Sequence, residues 1–458
     1  MTTFDLDLIR KYDKPGPRYT SYPTAPLFEE AVAADAFRDE LKASYEQSNG
    51  WSLYLHVPFC HKLCWFCGCN MVVSRVEQDR LDHVGILKQE IHRVADAVNP
   101  KRLAEQVHLG GGTPTYLTPN QLEDVVETLR RKFRFSEDAE VSIEVDPRQL
   151  SDDHVRLIDQ LGFNRVSMGV QDFNADVQRA INRDQPFELV RDRVTQLRKF
   201  PFDSINMDLI YGLPHQTLAT FGRTLDQVIE LSPDRIALFN FAHVPWLKAH
   251  QKLIKAEDLP QPEEKLEILR LSVDRLGEAG YVFIGMDHFA KEDDSMVQAF
   301  FNHSLHRNFQ GYTTKSGLEM LAFGSSAISM LDRLYVQNQH TVSDYETAIQ
   351  KGDWATWRGV KLTDDDVFRR NLIQHLMCRF EINLSEIEAA GGSAFDDLFP
   401  DARAQLDEMV ADGLLSNDPG GYLVTDLGRL LIRNVAMVFD AYLEEMKRKN
   451  KARFSRTV

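Results

Sequence analysis

Short apolar runs alternate with longer amphipathic stretches through the first half of the chain. Six runs read as strands: Leu53–Val57, Val107–Gly110, Val141–Val145, Arg165–Val170, Ser204–Ile210 and Ile236–Phe241. The stretches between them, such as Val76–Val98, Asn120–Lys132 and Asp152–Leu161, repeat their apolar residues at helical spacing. Strand–helix alternation predicts an α/β fold with a parallel sheet of βαβ units. Six units over about 190 residues fit an incomplete (β/α)6 barrel.

Polar residues within these strands follow period two. Ser142 and Glu144 share a face, as do Ser167, Gly169 and Gln171, and as do Asn206 and Asp208. A packed barrel interior is branched and apolar, so a polar inner face predicts an open lumen for a polar ligand. Glu144, Gln171 and Asp208 also stand near the C-terminal ends of their strands, where such barrels place their chemistry. A strand-end carboxylate also commonly caps the following helix.

The ends of the chain have a different texture. Residues 1–45 read as an arm, punctuated by Pro15, Gly16, Pro17 and Pro23 and closed by a short helix near Glu29–Glu46. Residues 46–340 form the barrel and its extension. Residues 341–458 form a mostly helical, winged-helix-like domain. In it, helix Leu406–Leu415 leads into Ser416–Val424, with the turn Asp418-Pro419-Gly420-Gly421, and a helix follows from Asp426.

Charge narrows the function. The chain has 53 basic and 69 acidic side chains, a net charge of −16. Such a chain repels nucleic acid and anionic membranes, so the C-terminal domain reads as a cover or docking domain rather than a DNA reader. The cluster Lys447, Arg448, Lys449, Lys451 and Arg453 reads as a solvated tail. No signal peptide or membrane span is apparent, and a cytoplasmic location is expected.

Four of the five cysteines fall between Cys60 and Cys69. That grouping suits reduced thiols gathered on a metal rather than disulfides. Cys60, Cys64 and Cys67 form C-x3-C-x2-C directly after the first strand. Thiolates hold iron–sulfur clusters, and three of them leave one iron of a four-iron cluster open to a ligand. Zinc, held with His56 or His61, is the competing reading. Zinc sites usually bring two separated ligand pairs, and the rest of the chain offers no second pair. Cys378 reads as a packed thiol.

With Phe66 just before the last cysteine and Gly110-Gly111-Gly112-Thr113-Pro114-Thr115 ending the second strand, the chain resembles the radical S-adenosylmethionine (SAM) enzymes. In that family SAM chelates the open iron, and an electron from the cluster releases a 5′-deoxyadenosyl radical. The segments Tyr12–Ala25, Leu53–Asn70, Leu109–Leu117, Asp203–Pro214 and Arg307–Thr314 further resemble oxygen-independent coproporphyrinogen III oxidase. The resemblance implies anaerobic oxidative decarboxylation of two propionates of coproporphyrinogen III to vinyl groups, giving protoporphyrinogen IX in haem biosynthesis. It implies a [4Fe-4S] cluster on Cys60, Cys64 and Cys67, two SAM molecules, an electron donor, a terminal electron acceptor and a monomer.

The same resemblance places the first SAM against Tyr54, Gly111, Glu144 and Ile328. It places the second against Phe66, Gly112, Thr113, Gln171, Arg183, Asp208 and Ala242. Cys69 is expected outside the coordination shell, because a filled iron has no room for SAM. Arg18, Arg165 and Arg307 are candidates for the substrate carboxylates, and each also suits a structural ion pair. His303 and His306, just before Arg307, are candidates for a substrate role, and each also reads as a surface or core histidine. The related haem-binding chaperone is the alternative; that subfamily is shorter and lacks the Tyr12–Ala25 arm and the cysteine at position 69.

Overall fold

The structure is a computed structural model that describes residues 6–32, 34–46, 49–448, 454 and 456–457. Lys449, Lys451 and Arg453 of the basic tail lie outside the described residues. The chain divides into two compact units. One comprises residues 28–260 and 317–361, and the other residues 1–27, 261–316 and 362–458.

The larger unit holds the barrel. Its strands are β1 (Trp51–Val57), β2 (Ala104–Gly111), β3 (Phe135–Val145), β4 (Arg165–Gln171), β5 (Ser204–Tyr211) and β6 (Arg235–Asn240). They pair in that order, all parallel. Beyond β1 the sheet continues through β7 (Glu319–Phe323), parallel to β1. Three further strands follow as antiparallel neighbours: β8 (Ile328–Met330), β9 (Leu334–Asn338) and β10 (Thr356–Lys361). The crossovers carry α1 (Glu77–Ala95), α2 (Pro119–Lys132), α3 (Asp152–Gln160), α4 (Ala175–Ala180), α5 (Phe187–Leu197) and α6 (Leu218–Leu231). Thr118 starts α2 by a reciprocal capping pair with Gln121, and Pro119 follows at the position where its missing N–H costs nothing.

Period two holds in the strands. Leu53, Leu55, Val107, Leu109, Val141, Ile143, Val166 and Met168 are buried on one side. Tyr54, His108, Ser142, Glu144, Ser167, Gly169, Asn206 and Asp208 alternate with such residues and are only partly buried. The register aligns Glu144 with Ser167, and Gly169 with Asp208. Gln171 departs from the alternation. The β4–β5 register shifts after Gly169, and Gln171 is left-handed at φ 69°. Its amide reaches the lumen face by folding back over Gly169, where a Cβ would stand 2.8 Å from its nitrogen.

Arg102 locks the start of β1 to the start of β7. It lies 3.4 Å from the Trp51 ring centroid and donates to Glu319 at 2.9 Å, with both charged side chains buried. It also donates to the carbonyls of Ser44, Asn49 and Gly50. Removing one member of a buried pair strands the other, so Arg102→Ala is expected to cost about 3–5 kcal/mol. Denaturant unfolding measures this. A loss under 1 kcal/mol, the usual size for an exposed pair, would contradict the role.

The other unit is mostly helical. Helix Asp364–Arg379 leads into a three-stranded antiparallel sheet of Glu381–Asn383, Gly421–Val424 and Leu415–Asp418. Helices Leu384–Gly391 and Ala402–Ala411 lie between these strands in sequence, and Asp426–Leu430 follows the hairpin. This is the winged-helix-like order expected from the turn at Asp418. Tyr12, Tyr19 and Tyr22 of the arm join the same apolar core as Leu376, Leu406 and Phe439. Cys378 is buried as a packed thiol, and burial pushes it up to about 12.

Candidate functional site

Strand β1 ends at Val57 and delivers the chain into the cysteine loop at the C-terminal end of the barrel. Two short strands, Phe59–Cys60 and Val72–Val73, pair in parallel and close the loop's base. The loop backbone is fastened from outside. Asn182 donates to the Leu63 carbonyl at 2.8 Å and Gln251 to the Phe66 carbonyl at 2.9 Å. Lys248 donates to the Cys69 carbonyl at 3.0 Å, and a ring N–H of His250 donates to the Cys67 carbonyl at 2.7 Å. Phe66 itself packs against Val177, Ile181, Leu213, Phe241 and Ile254.

The three sulfurs differ in their surroundings. The Cys60 sulfur lies 3.3 Å from the Thr113 hydroxyl. Burial pushes the Cys60 thiol up to about 12, so a thiolate there needs a metal to keep it ionised. Cys64 is buried and accepts from Arg183 at 3.5 Å and Arg148 at 3.6 Å. The Cys69 thiol hydrogen-bonds the Cys67 sulfur and, with Lys248 and Arg183, outweighs burial to hold the Cys67 thiol at about 7. Cys69 itself is exposed. In a four-iron cluster each cysteine meets its own iron. Among the described residues no three His, Cys, Asp or Glu side chains are grouped to hold one ion.

The turn after β2 lies against the loop. The Gly112 N–H donates to the Val57 carbonyl at 2.8 Å. Gly111 has φ 113°, and a Cβ there would stand 2.7 Å from the His56 ring. Its N–H donates to Glu144 at 3.2 Å. Glu144 also accepts from His108 at 3.3 Å, and a Cβ on Gly110 would stand 2.9 Å from the Glu144 carboxyl carbon. Burial would raise the Glu144 carboxyl, but His108 and the Gly111 amide outweigh it and hold the group below its ordinary value. Tyr54 stacks on His108 at 5.9 Å, and its hydroxyl lies 3.0 Å from His56 Nδ1.

Two strands along on β5, Asp208 accepts from Asn206 at 2.7 Å and Ser167 at 3.2 Å. Burial first, and then the Glu144 charge, push its carboxyl up to about 7. Arg183 donates to the Gly169 carbonyl at 2.6 Å beside the Gln171 amide. Three buried polar atoms at these strand ends have no protein partner: Gln171 Oε1, Arg183 Nε and Asn240 Oδ1. They suit a polar ligand with its own donors and acceptors. Ala242 is exposed just past β6. Ile328 opens β8 after a turn at Gly324, whose N–H donates to the buried Glu90 at 2.8 Å. A Cβ on Gly324 would stand 2.5 Å from the His56 carbonyl oxygen.

Sequence reasoning missed His108, Asp146, Arg148, Lys248, His250 and Gln251. His108 had a signal, since it alternates with Gly110 on the lumen face. The outer fasteners had none, because their role arises from packing.

The Asp208 value sets a pH dependence. A carboxyl raised above its unfolded value of about 3.9 favours the fold fully below that pH. That contribution is lost as pH rises through about 7. Asp208→Asn is expected to flatten the pH dependence of iron-free stability between about pH 4 and pH 7 by up to one proton. Chemical denaturation at several pH values reads this, and a slope equal to the parent's would contradict it.

Residues 54–228 match the radical SAM superfamily, and residues 362–431 match the HemN C-terminal domain. The oxygen-independent coproporphyrinogen III oxidase of Escherichia coli is 46% identical, over 99% of this chain and 98% of its own length. Its counterpart from Synechocystis is 43% identical over 99% of this chain and 98% of its own. That from Helicobacter pylori is 40% identical over the full length of both. The solved structure of the Escherichia coli radical SAM enzyme coproporphyrinogen III oxidase covers 96% of this chain and 99% of its own, with a TM-score of 0.91 and 45% identity. With a cluster loop and a polar strand-end face of this kind, and with such likeness running from end to end, this chain belongs to the oxygen-independent coproporphyrinogen III oxidase family of radical SAM enzymes.

Proposed function

We propose that this protein converts two propionate side chains of coproporphyrinogen III to vinyl groups, giving protoporphyrinogen IX with release of carbon dioxide. The observation that carries the reading is the pairing of the cysteine loop with the Gly111–Glu144 contact at the mouth of a polar lumen. Cys60, Cys64 and Cys67 would hold the [4Fe-4S] cluster, which together with SAM would supply the radical chemistry that the propionate oxidation needs.

The chain's own groups bind and orient. Glu144, ionised, accepts from an ammonium or hydroxyl of the first SAM beside Tyr54, Gly111 and Ile328. Phe66, Gly112, Thr113, Gln171, Arg183, Asp208 and Ala242 hold a second SAM. Arg183 suits its carboxylate, and Asp208 its hydroxyls. Cys69 supports Cys67 without binding iron. An electron donor for the cluster and a terminal acceptor for the surplus electron would complete the reaction. The protein acts in the cytoplasm, where thiols stay reduced. Among the described residues no helix is long and apolar enough to cross a membrane.

Among the arginine candidates, Arg18 pairs with Asp287, and Arg165, at the opposite end of its strand from the cysteine loop, pairs with Glu140 at 2.7 Å. Arg307 is buried over the Tyr312 ring at 4.9 Å, with its Nε and Nη1 unpartnered. Of the three it is the one without an acidic partner among the described residues, and so suits a substrate carboxylate. Arg307→Gln is expected to raise KM for coproporphyrinogen III about tenfold or more, the worth of one charge-assisted hydrogen bond. An unchanged KM, with Arg18→Gln raising it instead, would reverse the ranking.

Anaerobically reconstituted protein tests the whole reading. With SAM, reductant and coproporphyrinogen III it should release carbon dioxide and form a divinyl product. Stable haem binding without carbon dioxide release would place it with the haem-binding chaperone instead.

A further inference from the structure

Asp146, Pro147 and Arg148 form a tight turn just past β3. Asp146 accepts from the Arg148 backbone N–H at 3.0 Å and holds its guanidinium by both oxygens, through Nε at 2.9 and 3.1 Å and Nη2 at 2.6 Å. The same Nη2 reaches the Cys64 sulfur at 3.6 Å. Arg183, just past α4, has Nη1 at 3.3 Å from Asp146 and 3.5 Å from the same sulfur. Asp146 thus sits between two guanidinium groups and aims both at one sulfur. Burial would raise its carboxyl, yet Arg183 and Arg148 hold it at about 2, so the clamp stays charged.

The other two sulfurs lack this. Cys60 meets a neutral hydroxyl, and Cys67 meets the thiol of Cys69. Lys248 and Arg183 act on Cys67 only through their charge, so the guanidinium hydrogen bonds fall on Cys64. Reducing an iron–sulfur cluster adds negative charge that its ligand sulfurs share. Hydrogen bonds to those sulfurs stabilise the reduced form and raise the potential.

We propose that Arg148 is a positioning residue of the cluster site: aimed by Asp146, it places a second charged N–H donor on the Cys64 sulfur and so makes the cluster easier to reduce. The side chain is nearly buried, and its hydrogen bonds go to Asp146 and Cys64. The proposal rests on Cys64 being a cluster ligand.

The test is a redox titration, followed by electron paramagnetic resonance, of full-length reconstituted R148Q and R148K without SAM. At a fixed poise R148Q should show an about tenfold lower ratio of reduced to oxidised cluster, a midpoint shift of about 59 mV for a one-electron couple. R148K keeps a charge without the fork and should fall by less. A purely structural role would leave the midpoint of every iron-loaded variant at the parent value, and that result overturns the proposal. Should R148Q fail to load iron, R148K decides alone: a lower midpoint supports the proposal and an equal one overturns it. The iron content of C64S tests the ligand assignment separately. Iron retained there removes the foundation, whatever the midpoints show.

Discussion

Cys64→Ser is expected to emerge from anaerobic reconstitution with almost no iron or acid-labile sulfide, while Cys69→Ser keeps a near-parental content of both. The two cysteines are five residues apart on one loop, and their surroundings separate them. Cys64 is buried against two guanidinium groups, which a thiolate neutralises. A serine hydroxyl stays protonated at neutral pH and leaves two buried cations facing an uncharged oxygen. Cys69 is exposed, and its backbone is tied by Lys248, a bond that serine leaves intact. Losing the Cys69 thiol removes one hydrogen bond to the Cys67 sulfur. That changes the ease of ionising Cys67 without removing a ligand. Iron and sulfide per chain are the measurements, and equal loss in both variants would make Cys69 a ligand.

How much of this was legible in the chain depended on the kind of signal. Alternation within β3 to β5 placed Glu144 and Asp208 on one polar face, and the register bears that out. The same rule placed Gln171 there for an incomplete reason. The rule assumes an unbroken pleat, whereas β4 breaks its register after Gly169 and Gln171 turns left-handed. The residue reaches the lumen because a glycine lies beneath it. The cysteine grouping was legible because the three residues sit close together on one short loop, which the structure closes at its base. The clamp of Asp146 and Arg148 was not, because an Asp-Pro-Arg turn is common and its target, Cys64, lies 84 residues away. The arginines show the same limit. Arg18, Arg165 and Arg307 look alike in sequence, and only tertiary pairing separates the two that have acidic partners from the one that does not.

Glycine chemistry carries the second large effect. Gly112→Ala is expected to lower turnover about 10²-fold, the scale at which small displacements of an active-site element act. Gly68→Ala should fold and load iron like the parent. Both glycines border the cluster loop, and the usual reasoning about glycine flexibility does not distinguish them. The space around each does. A Cβ on Gly112 would lie 2.8 Å from the Phe59 carbonyl oxygen and 3.0 Å from both Phe59 N and the Pro58 carbonyl carbon. Those atoms are backbone and have no rotamer to change, so the strain passes into the segment that leads to Cys60. Thr113, the next residue, touches the Cys60 sulfur, so the turn and the loop move together. A Cβ on Gly68 meets nothing within 4 Å. The effect at Gly112 should therefore appear as a displaced cluster environment, read by the resonance spectrum with and without SAM, in a protein whose unfolding is close to the parent's. If Gly112→Ala kept both its spectrum and its turnover, the loop would have to be soft enough to absorb several tenths of an ångström, and the close packing between turn and loop would lose its mechanistic meaning.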